Sequence, residues 1–436
     1  MNRPTFSYLK ELEASQWLSR DAVETLQLKK LKRLLRGCMS HSPWHAQRIA
    51  EAGLDSGDLS RPLTMDDLRA LPLMDKADAM ANRESIVWQG VPGGAYRYTT
   101  GGSSGTPLIF YFGKERQASD AAGRMRARRW WGVDVGEPEV YLWGAPVELQ
   151  KTDRIKQIRD RLVNQLVLNA FDMSASTMDE YVDAIRRYKP ACIYGYASSI
   201  ALLAAHIEGR GVVLKLPSLK VVCTTGEPLY SEQRDLISRI FGVPVANEFG
   251  SRDIGFTAHE SPTGQMLLMN ESIILEVLDT QGRPVKPGEM GEAVMTGLCS
   301  AAQPFIRYRT GDMVQHSEVL CEQGRGLHVL GKVEGRKTDF IVRSDGTIMH
   351  ALAIIYVLRE HQGIQEFKFI QHELNRVEVL VVPRASWSPD SSRTLVVGIQ
   401  ARLGDDCRVE INLVDHIAPE ASGKHRYVVS HVPLPL

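Results

Sequence analysis

The pattern of apolar and polar positions changes character along the chain. From Ser7 to Arg36 it is helical, with Leu28, Leu31 and Leu35 on one stripe and Lys29, Lys30, Lys32 and Arg33 mostly off it. That predicts one N-terminal helix with a solvated basic face. In the middle, helix and strand patterns alternate. "STMDEYVDAIRRY" carries Tyr181, Ile185 and Tyr188 at helical intervals, opens on a capping-box spacing from Ser176 to Asp179, and is stopped by Pro190. "ACIYGY" then predicts a short buried strand, "SSIALLAAHIEG" a helix, "LKVVCT" a strand, "SEQRDLISRIF" a helix with Ser231 as N-cap, and "VPVANEF" another strand. Such alternation predicts an α/β unit with a largely parallel sheet. Ligands of that class sit where loops leave the carboxyl ends of strands. "TTGEP" (Thr224 to Pro228) and "EFGSRDIG" (Glu248 to Gly255) fall at that type of position.

After about residue 256 the pattern shifts to strand-length apolar runs separated by Gly/Pro turns, as in "SIILEVLDTQGRPVKPGEMGEAVMTGL", which predicts a β-rich subdomain. A boundary is expected at "GKVEGRKTDFIV". Beyond it lie a helix around His350 to Glu360, the strand "RVEVLVV", a helix around Ser392 to Arg402 and the strand "CRVEINLV", enough for a small α+β domain. The expected architecture is α/β. A large N-terminal domain over 1–335 has mixed and parallel sheets flanked by helices plus a β-rich subdomain; a small α+β domain occupies 336–436.

Composition narrows the function classes. With 52 Lys+Arg against 52 Asp+Glu, there is no bulk electrostatic reason to expect nucleic acid or an anionic membrane as partner. The longest apolar runs, "ALAIIYVL" and "IALLAAHI", fall well short of the ~20 residues that span a bilayer. The N-terminal residues show no apolar signal core. Six cysteines without a CxxC pair indicate neither a disulfide framework nor a zinc site, so a reducing cytoplasm is the expected compartment. The 12 histidines show no metal-ligand spacing; His259, His350 and His425 read as structural or solvated. Oligomeric state leaves no signature.

Taken singly, the polar clusters admit two readings each. The unbroken Gly/Ser/Thr run from Thr99 to Thr106 suits a phosphate-wrapping loop or a flexible linker; it lacks the GK[ST] ending of a Walker A loop. "EFGSRDIG" offers an aromatic, a glycine, a hydroxyl, a guanidinium and a carboxylate, or an ordinary turn with a surface Arg–Asp pair. "RYRTGD" (Arg307 to Asp312) reads also as a turn capped by Asp312, and "SGKHR" (Ser422 to Arg426) as an exposed loop.

Their order is more specific than any one of them. A Ser/Gly/Thr loop, GEP, aromatic-Gly-x-x-acid, a GE strand, RYRTGD, GRxxD and a C-terminal lysine follow one another over nearly the whole chain. This succession resembles the adenylate-forming superfamily of acyl-CoA synthetases and peptide-synthetase adenylation domains. "QPFIRYRTGDM", "DTQGRPVKPGEMGEAVMTGL" and "SPWHAQRIAEAGL…LPLMDKADAM" are most similar to its phenylacetate–CoA ligase branch, including the capsule-biosynthesis relatives.

The resemblance implies roles position by position. Thr100, Ser103, Ser104, Gly105 and Thr106 would grip the β- and γ-phosphates of ATP. Leu108 stands where many relatives carry a lysine. Gly226, Glu227 and Pro228 match the adenine-side loop, and Phe249, Gly250 and Ser251 the aromatic segment against the adenine. Asp253 replaces the commoner glutamate that helps hold Mg²⁺. Arg252 stands in place of a threonine, where its guanidinium would offset the missing loop lysine. Asp312 matches the ribose-binding aspartate. Arg336 matches the linker arginine, with a hinge at Lys337, Thr338 and Asp339. Lys424 matches the lysine that reaches the α-phosphate and the carboxylate oxygen. Tyr194, Tyr196 and Ser198 would line the acyl pocket, suggesting an aromatic or medium-sized acid, although core packing explains the tyrosines equally well.

The implied reaction converts a carboxylic acid and ATP into acyl-adenylate and pyrophosphate, then passes the acyl group on, with CoA as the expected acceptor. CoA-using relatives follow the linker with a stretch like "RGxN(V/I)FP". Here "VRSDGTIMHALAI" keeps Gly346 and lacks the Asn and Pro, so an amine, a sugar hydroxyl or a carrier-protein thiol stays open. A family member that binds nucleotide without turnover is the third reading. The presence of Asp253, Asp312, Arg336 and Lys424 opposes it.

Overall fold

The computed structural model describes residues 4–54, 57–99, 108–143, 164–170, 173, 175–336, 340–344, 348–350, 352–418 and 427–432. The chain divides into two compact units, residues 1–310 with 314–334 and residues 311–313 with 335–436.

The N-terminal pattern produces two helices where one was expected, α1 (Pro4–Ser15) and α2 (Arg20–His41). Ser19 makes the break: its backbone is extended and its hydroxyl accepts the Ala22 N–H, an N-cap bond. The corner also fits tightly against Gly326, whose N–H donates to Gln16 O at 2.9 Å and where a Cβ would lie 1.9 Å from Leu18 O. Leu31 and Leu35 of the leucine stripe are buried as their spacing predicts, and Leu28 is partly buried beside them. The basic face is less solvated than expected. Lys30 Nζ donates to Glu271 O (2.7 Å), Lys32 Nζ to Ser60 O and Arg61 O, and Arg33 pairs with Glu115. Short helices α3 (Pro43–Glu51), α4 (Met65–Ala70), α5 (Lys76–Ala81) and α6 (Arg83–Ile86) follow. Ile49 and Leu68 join Leu31 and Leu35 in one apolar cluster.

An antiparallel hairpin of β1 (Ala95–Thr99) and β2 (Ile109–Gly113), in register from Ala95↔Gly113 to Thr99↔Ile109, runs directly into α7 (Lys114–Trp130). Next come β3 (Glu139–Trp143), β4 (Gln165–Asn169), α8 (Ala175–Tyr188), β5 (Cys192–Tyr196), α9 (Ala197–Gly209), β6 (Val221–Thr225), α10 (Ser231–Phe241) and β7 (Val245–Ser251). Two helix starts differ from expectation. α8 begins at Ala175, so Ser176 lies inside its first turn, and the Asp179 carboxylate is taken by His206 and Arg210 of the α9 end. Tyr230, not Ser231, is the N-cap of α10, its N–H donating to the Gln233 side chain. The αL glycine Gly242 ends α10.

Five of these strands are parallel, in the order β7-β6-β5-β3-β4. Antiparallel β8 (Gly255–Glu260), β9 (Met266–Leu268) and β13 (Val329–Leu330) extend the sheet beyond β7. Helices α8, α9 and α10 cover one face through Ile185, Leu203 and Ile237 against Val140, Ile193 and Val222. The alternate residues Cys192, Tyr194, Cys223 and Ala246 face the other way with Val133. Both faces are covered, which is why "CIYGY" and "VVCTT" read as continuous buried runs. All six cysteines are free and buried. The β-rich segment places β10 (Ile273–Leu278), β11 (Met290–Gly297) and β12 (Tyr308–Gln315) side by side in a second sheet.

The second unit pairs β15 (Phe340–Val342) with β16 (Ile348–His350) and holds β17 (Ile364–Glu373) and β18 (Arg376–Pro383) as a further antiparallel pair. β19 (Arg408–Leu413) lies parallel to β18, and β20 (Val428–Ser430) parallel to β17. Helices α11 (Leu352–Glu360) and α12 (Pro389–Leu403) complete it. Among the described residues no helix is long and apolar enough to cross a membrane.

Candidate active site

"EFGSRDIG" forms the end of β7 and a tight turn into β8, with Ser251 paired to Gly255 and Gly250 to Phe256. Glycine is required twice. A Cβ on Gly250 would lie 2.7 Å from Gly255 O, and Gly255 itself sits at φ +113°, where a side chain is strained. The Ser251 hydroxyl accepts the Ile254 N–H at 3.2 Å. The Arg252 side chain is exposed and Asp253 is half-buried. Phe249 packs in part against the apolar cluster of Leu108 and Phe110.

"RYRTGD" is extended strand rather than a capped turn, and its residues alternate in duty. Arg307, the one residue of the segment before β12, is buried at φ +51°. Its guanidinium grips Glu276 in two bonds (3.0 and 2.9 Å) and donates to Arg69 O and Leu71 O. Tyr308 reaches the turn after β7, its hydroxyl donating to Asp253 Oδ2 at 3.0 Å. Arg309 pairs with Glu292, and the Thr310 hydroxyl donates to Ala293 O. Asp312 is buried on the same strand.

The carboxyl ends of the parallel strands form a row. Tyr196 is in register with Thr225, and Thr225 with Glu248. Trp143, at the end of β3, stacks on Tyr196 with ring centroids 4.4 Å apart, and on Tyr194 at 5.8 Å. β3 lies between β4 and β5, so the chain reverses its direction of travel across the sheet there, the usual ligand position in open α/β sheets. Tyr194 and Tyr196 are both buried. The Tyr194 hydroxyl donates to Glu248 Oε1 (2.9 Å), which also accepts from Thr225 (3.2 Å). Burial and the Glu248 charge push the Tyr194 phenol above its ordinary range, so it stays a donor. Burial works against the Arg124 cation, but Glu248, 3.7 Å away, outweighs it and holds the guanidinium charged. Glu227 is drawn to the same end of the sheet: its Oε2 accepts the Ser198 N–H at the start of α9 (3.0 Å), and Gly226 before it has φ +75°.

Thr100, Ser103, Ser104, Gly105, Thr106, the hinge residues Lys337, Thr338 and Asp339, and Lys424 lie outside the described residues. Arg336 ends β14 (Val333–Arg336). His259 is fully buried, with Nδ1 against Glu260 O (2.8 Å) and Nε2 against Arg128 (3.2 Å), a structural arrangement. Among the described residues no cluster of three metal-ligating side chains occurs. Tyr308, Glu248 and Arg116 were not singled out from the sequence. Tyr308 and Glu248 carried a signal, their places inside "RYRTGD" and "EFGSRDIG"; Arg116 carried none.

Residues 341–431 match the model of the CapK C-terminal domain. The chain is 20% identical over 376 residues to Protein CapK of Staphylococcus aureus, covering 85% of this chain and 82% of that one. It is 24% identical over 424 residues to a phenylacetate-coenzyme A ligase of Pseudomonas putida, covering 94% and 93%. Its fold matches a 2-hydroxyisobutyryl-CoA ligase solved in the postadenylation state with R3-HIB-AMP, at TM-score 0.74 and 20% identity over 95% of this chain and 91% of that one. The fold and the ordered motifs together define an adenylate-forming ligase. Within that superfamily its relatives by sequence are phenylacetate–CoA ligases and CapK.

Proposed function

We propose that the protein activates a carboxylic acid with ATP, releasing pyrophosphate and forming an acyl-adenylate, and then transfers the acyl group to CoA. The observation that carries this reading is the bond from Tyr308 to Asp253, which joins the "RYRTGD" and "EFGSRDIG" motifs in one place at the carboxyl end of β7. In this reading Asp312 holds the ribose, Phe249 and the 226–228 loop flank the adenine, and residues 100–106 take the phosphates. Arg252 extends toward those phosphates from the exposed side of the turn. Lys424 offsets the repulsion between the carboxylate and the α-phosphate.

Asp253 suits Mg²⁺: a single half-buried carboxylate with one oxygen fixed by a hydroxyl is adequate for an ion that keeps waters and phosphates as its other ligands. When bound there, the ion would supply charge neutralisation to the phosphates. The acid pocket falls to Tyr194, Tyr196 and Ser198 beside Trp143, and its stacked rings suit an aromatic acid.

A second acceptor is favoured by one feature. "VRSDGTIMHALAI" lacks the Asn and Pro of CoA-using relatives, and it opens the region that matches the CapK C-terminal domain. An amine, a sugar hydroxyl or a carrier thiol would then replace CoA. ATP–pyrophosphate exchange over a panel of acids, aromatic ones first, tests the adenylation. Exchange that needs the acid and collapses in Asp253→Ala and Lys424→Ala supports it; no exchange with any acid refutes it. CoA-dependent consumption of the adenylate then decides between the acceptors.

A further inference from the structure

Arg116 lies in the first turn of α7, buried to 5% exposure, and belongs to none of the motifs. Its guanidinium donates to two successive main-chain carbonyls, Asp253 O from Nη1 (2.5 Å) and Arg252 O from Nη2. The same group sits over the rings of Phe110 and Phe112, 5.7 Å from each, on β2. That strand is the one that returns from residues 100–107. One turn further along α7, Asp120 closes the grip: its Oδ2 lies 3.5 Å from Arg116 Nε, and its Oδ1 accepts the Phe256 N–H (3.3 Å) just past the turn. The fit is close, since a Cβ on Gly255 would meet Asp120 Oδ1 at 2.6 Å.

A planar guanidinium donating to two adjacent carbonyls fixes the plane and direction of the turn between them, which a single ammonium does not. With Tyr308 holding the Asp253 carboxylate from one side and Arg116 holding its backbone from the other, that carboxylate has little freedom to turn. The rings of β2 tie the same guanidinium to the strand leaving the Gly/Ser/Thr run. We propose that Arg116, braced by Asp120, is the positioning residue that presents the Asp253 carboxylate to a metal-bound nucleotide, a role that rests on the adenylation reading above. Arg116 touches neither metal nor nucleotide itself; it acts through the turn.

The test is calorimetric titration of the full-length chain with ATP, in excess Mg²⁺ and in EDTA. The variants are Arg116→Lys, Asp253→Ala and the double substitution, each with thermal melting as a check of folding. Arg116→Lys is expected to weaken Mg²⁺–ATP binding ~10-fold, the loss of one charge-assisted bond, and to leave binding in EDTA within about 2-fold. On the Asp253→Ala background it should add nothing, because both changes remove the same contact. Unchanged Mg²⁺–ATP affinity overturns the proposal, as do equal losses with and without Mg²⁺ or additive effects in the double variant. If Arg116→Lys does not fold, Asp120→Asn replaces it and is held to the same pattern. An unmodified chain that binds no ATP overturns the adenylation reading as well; binding with an unaffected Arg116→Lys overturns this proposal alone.

Discussion

The Tyr308 hydroxyl donates to Asp253 Oδ2 at 3.0 Å, a bond between two motifs 55 residues apart in the chain. Tyr308 is 2% exposed and its ring packs edge-on against Phe305, centroids 4.8 Å apart, so the ring would stay in place without its hydroxyl. Tyr308→Phe therefore isolates the bond. Acid-dependent ATP–pyrophosphate exchange should fall ~10-fold, while the urea midpoint moves by the equivalent of about 1 kcal/mol. An unchanged exchange rate would show that the orientation of Asp253 does not depend on Tyr308.

Acid should destabilise the protein through His45. Burial, then the neighbouring Arg48 cation, lowers its pKa from 6.5 to about 3, while Pro304 O at 2.9 Å fixes the neutral ring. The folded pKa lies below the unfolded one, so the contribution is complete above pH 6.5 and is lost as pH falls towards 3. His328, lowered to about 4 mainly by burial, adds a second such group. Between pH 6.5 and 4.5 the unfolding free energy of His45→Gln should depend on pH less steeply than that of the parent, by ~1.4 kcal/mol per pH unit. Denaturant titrations at several pH values measure this, and parallel curves would exclude His45 as a source.

Arg126 and Glu271 form a fully buried pair, with bonds of 2.6 and 3.1 Å, and Ser15 and Leu12 O complete the network from α1. Glu271→Gln leaves the guanidinium buried without its counter-charge and should cost ~3–5 kcal/mol. Replacing both, Arg126→Met with Glu271→Leu, should cost less than the single change. A double variant weaker than Glu271→Gln would contradict this account.

Gly195 lets β5 approach β3: an added Cβ would lie 2.4 Å from Leu142 O, a backbone atom that has no room to yield. Gly195→Ala should destabilise by ~1–3 kcal/mol. Because Trp143 and Tyr196 are adjacent to this contact, it should also shift which acids support exchange. Retention of both stability and acid preference would show that the strands part without disturbing the rings.

What was legible in the sequence follows from the range of the forces involved. The alternation from Ser176 to Phe249 marked three of the five parallel strands because covered sheets leave unbroken apolar runs, as in "CIYGY" and "VVCTT"; β3 and β4, which precede it, were not read. The break at Ser19 was hidden because the apolar spacing continues through it; its cap and the fit of Leu18 against Gly326 depend on partners far along the chain. Asp179 failed as a capping partner for the same reason, since His206 and Arg210 compete for its carboxylate. In the site, Asp253 was visible from its motif. Arg116 was not, because an arginine in a charged helical segment has no local mark of what its guanidinium will meet.

The grip of Arg116 is on carbonyl oxygens, and every residue type has one. The shape of the turn is thus written into the main chain and α7, independent of the letters at 252 and 253. That leaves those two letters open to evolutionary substitution at little structural penalty. The resemblance to the adenylate-forming enzymes puts arginine where a threonine would be expected and aspartate where a glutamate would be, changes that such a scaffold tolerates. A library randomised at these two positions should return mostly folded proteins that differ in chemistry, making the turn a natural place from which to redesign the ligase.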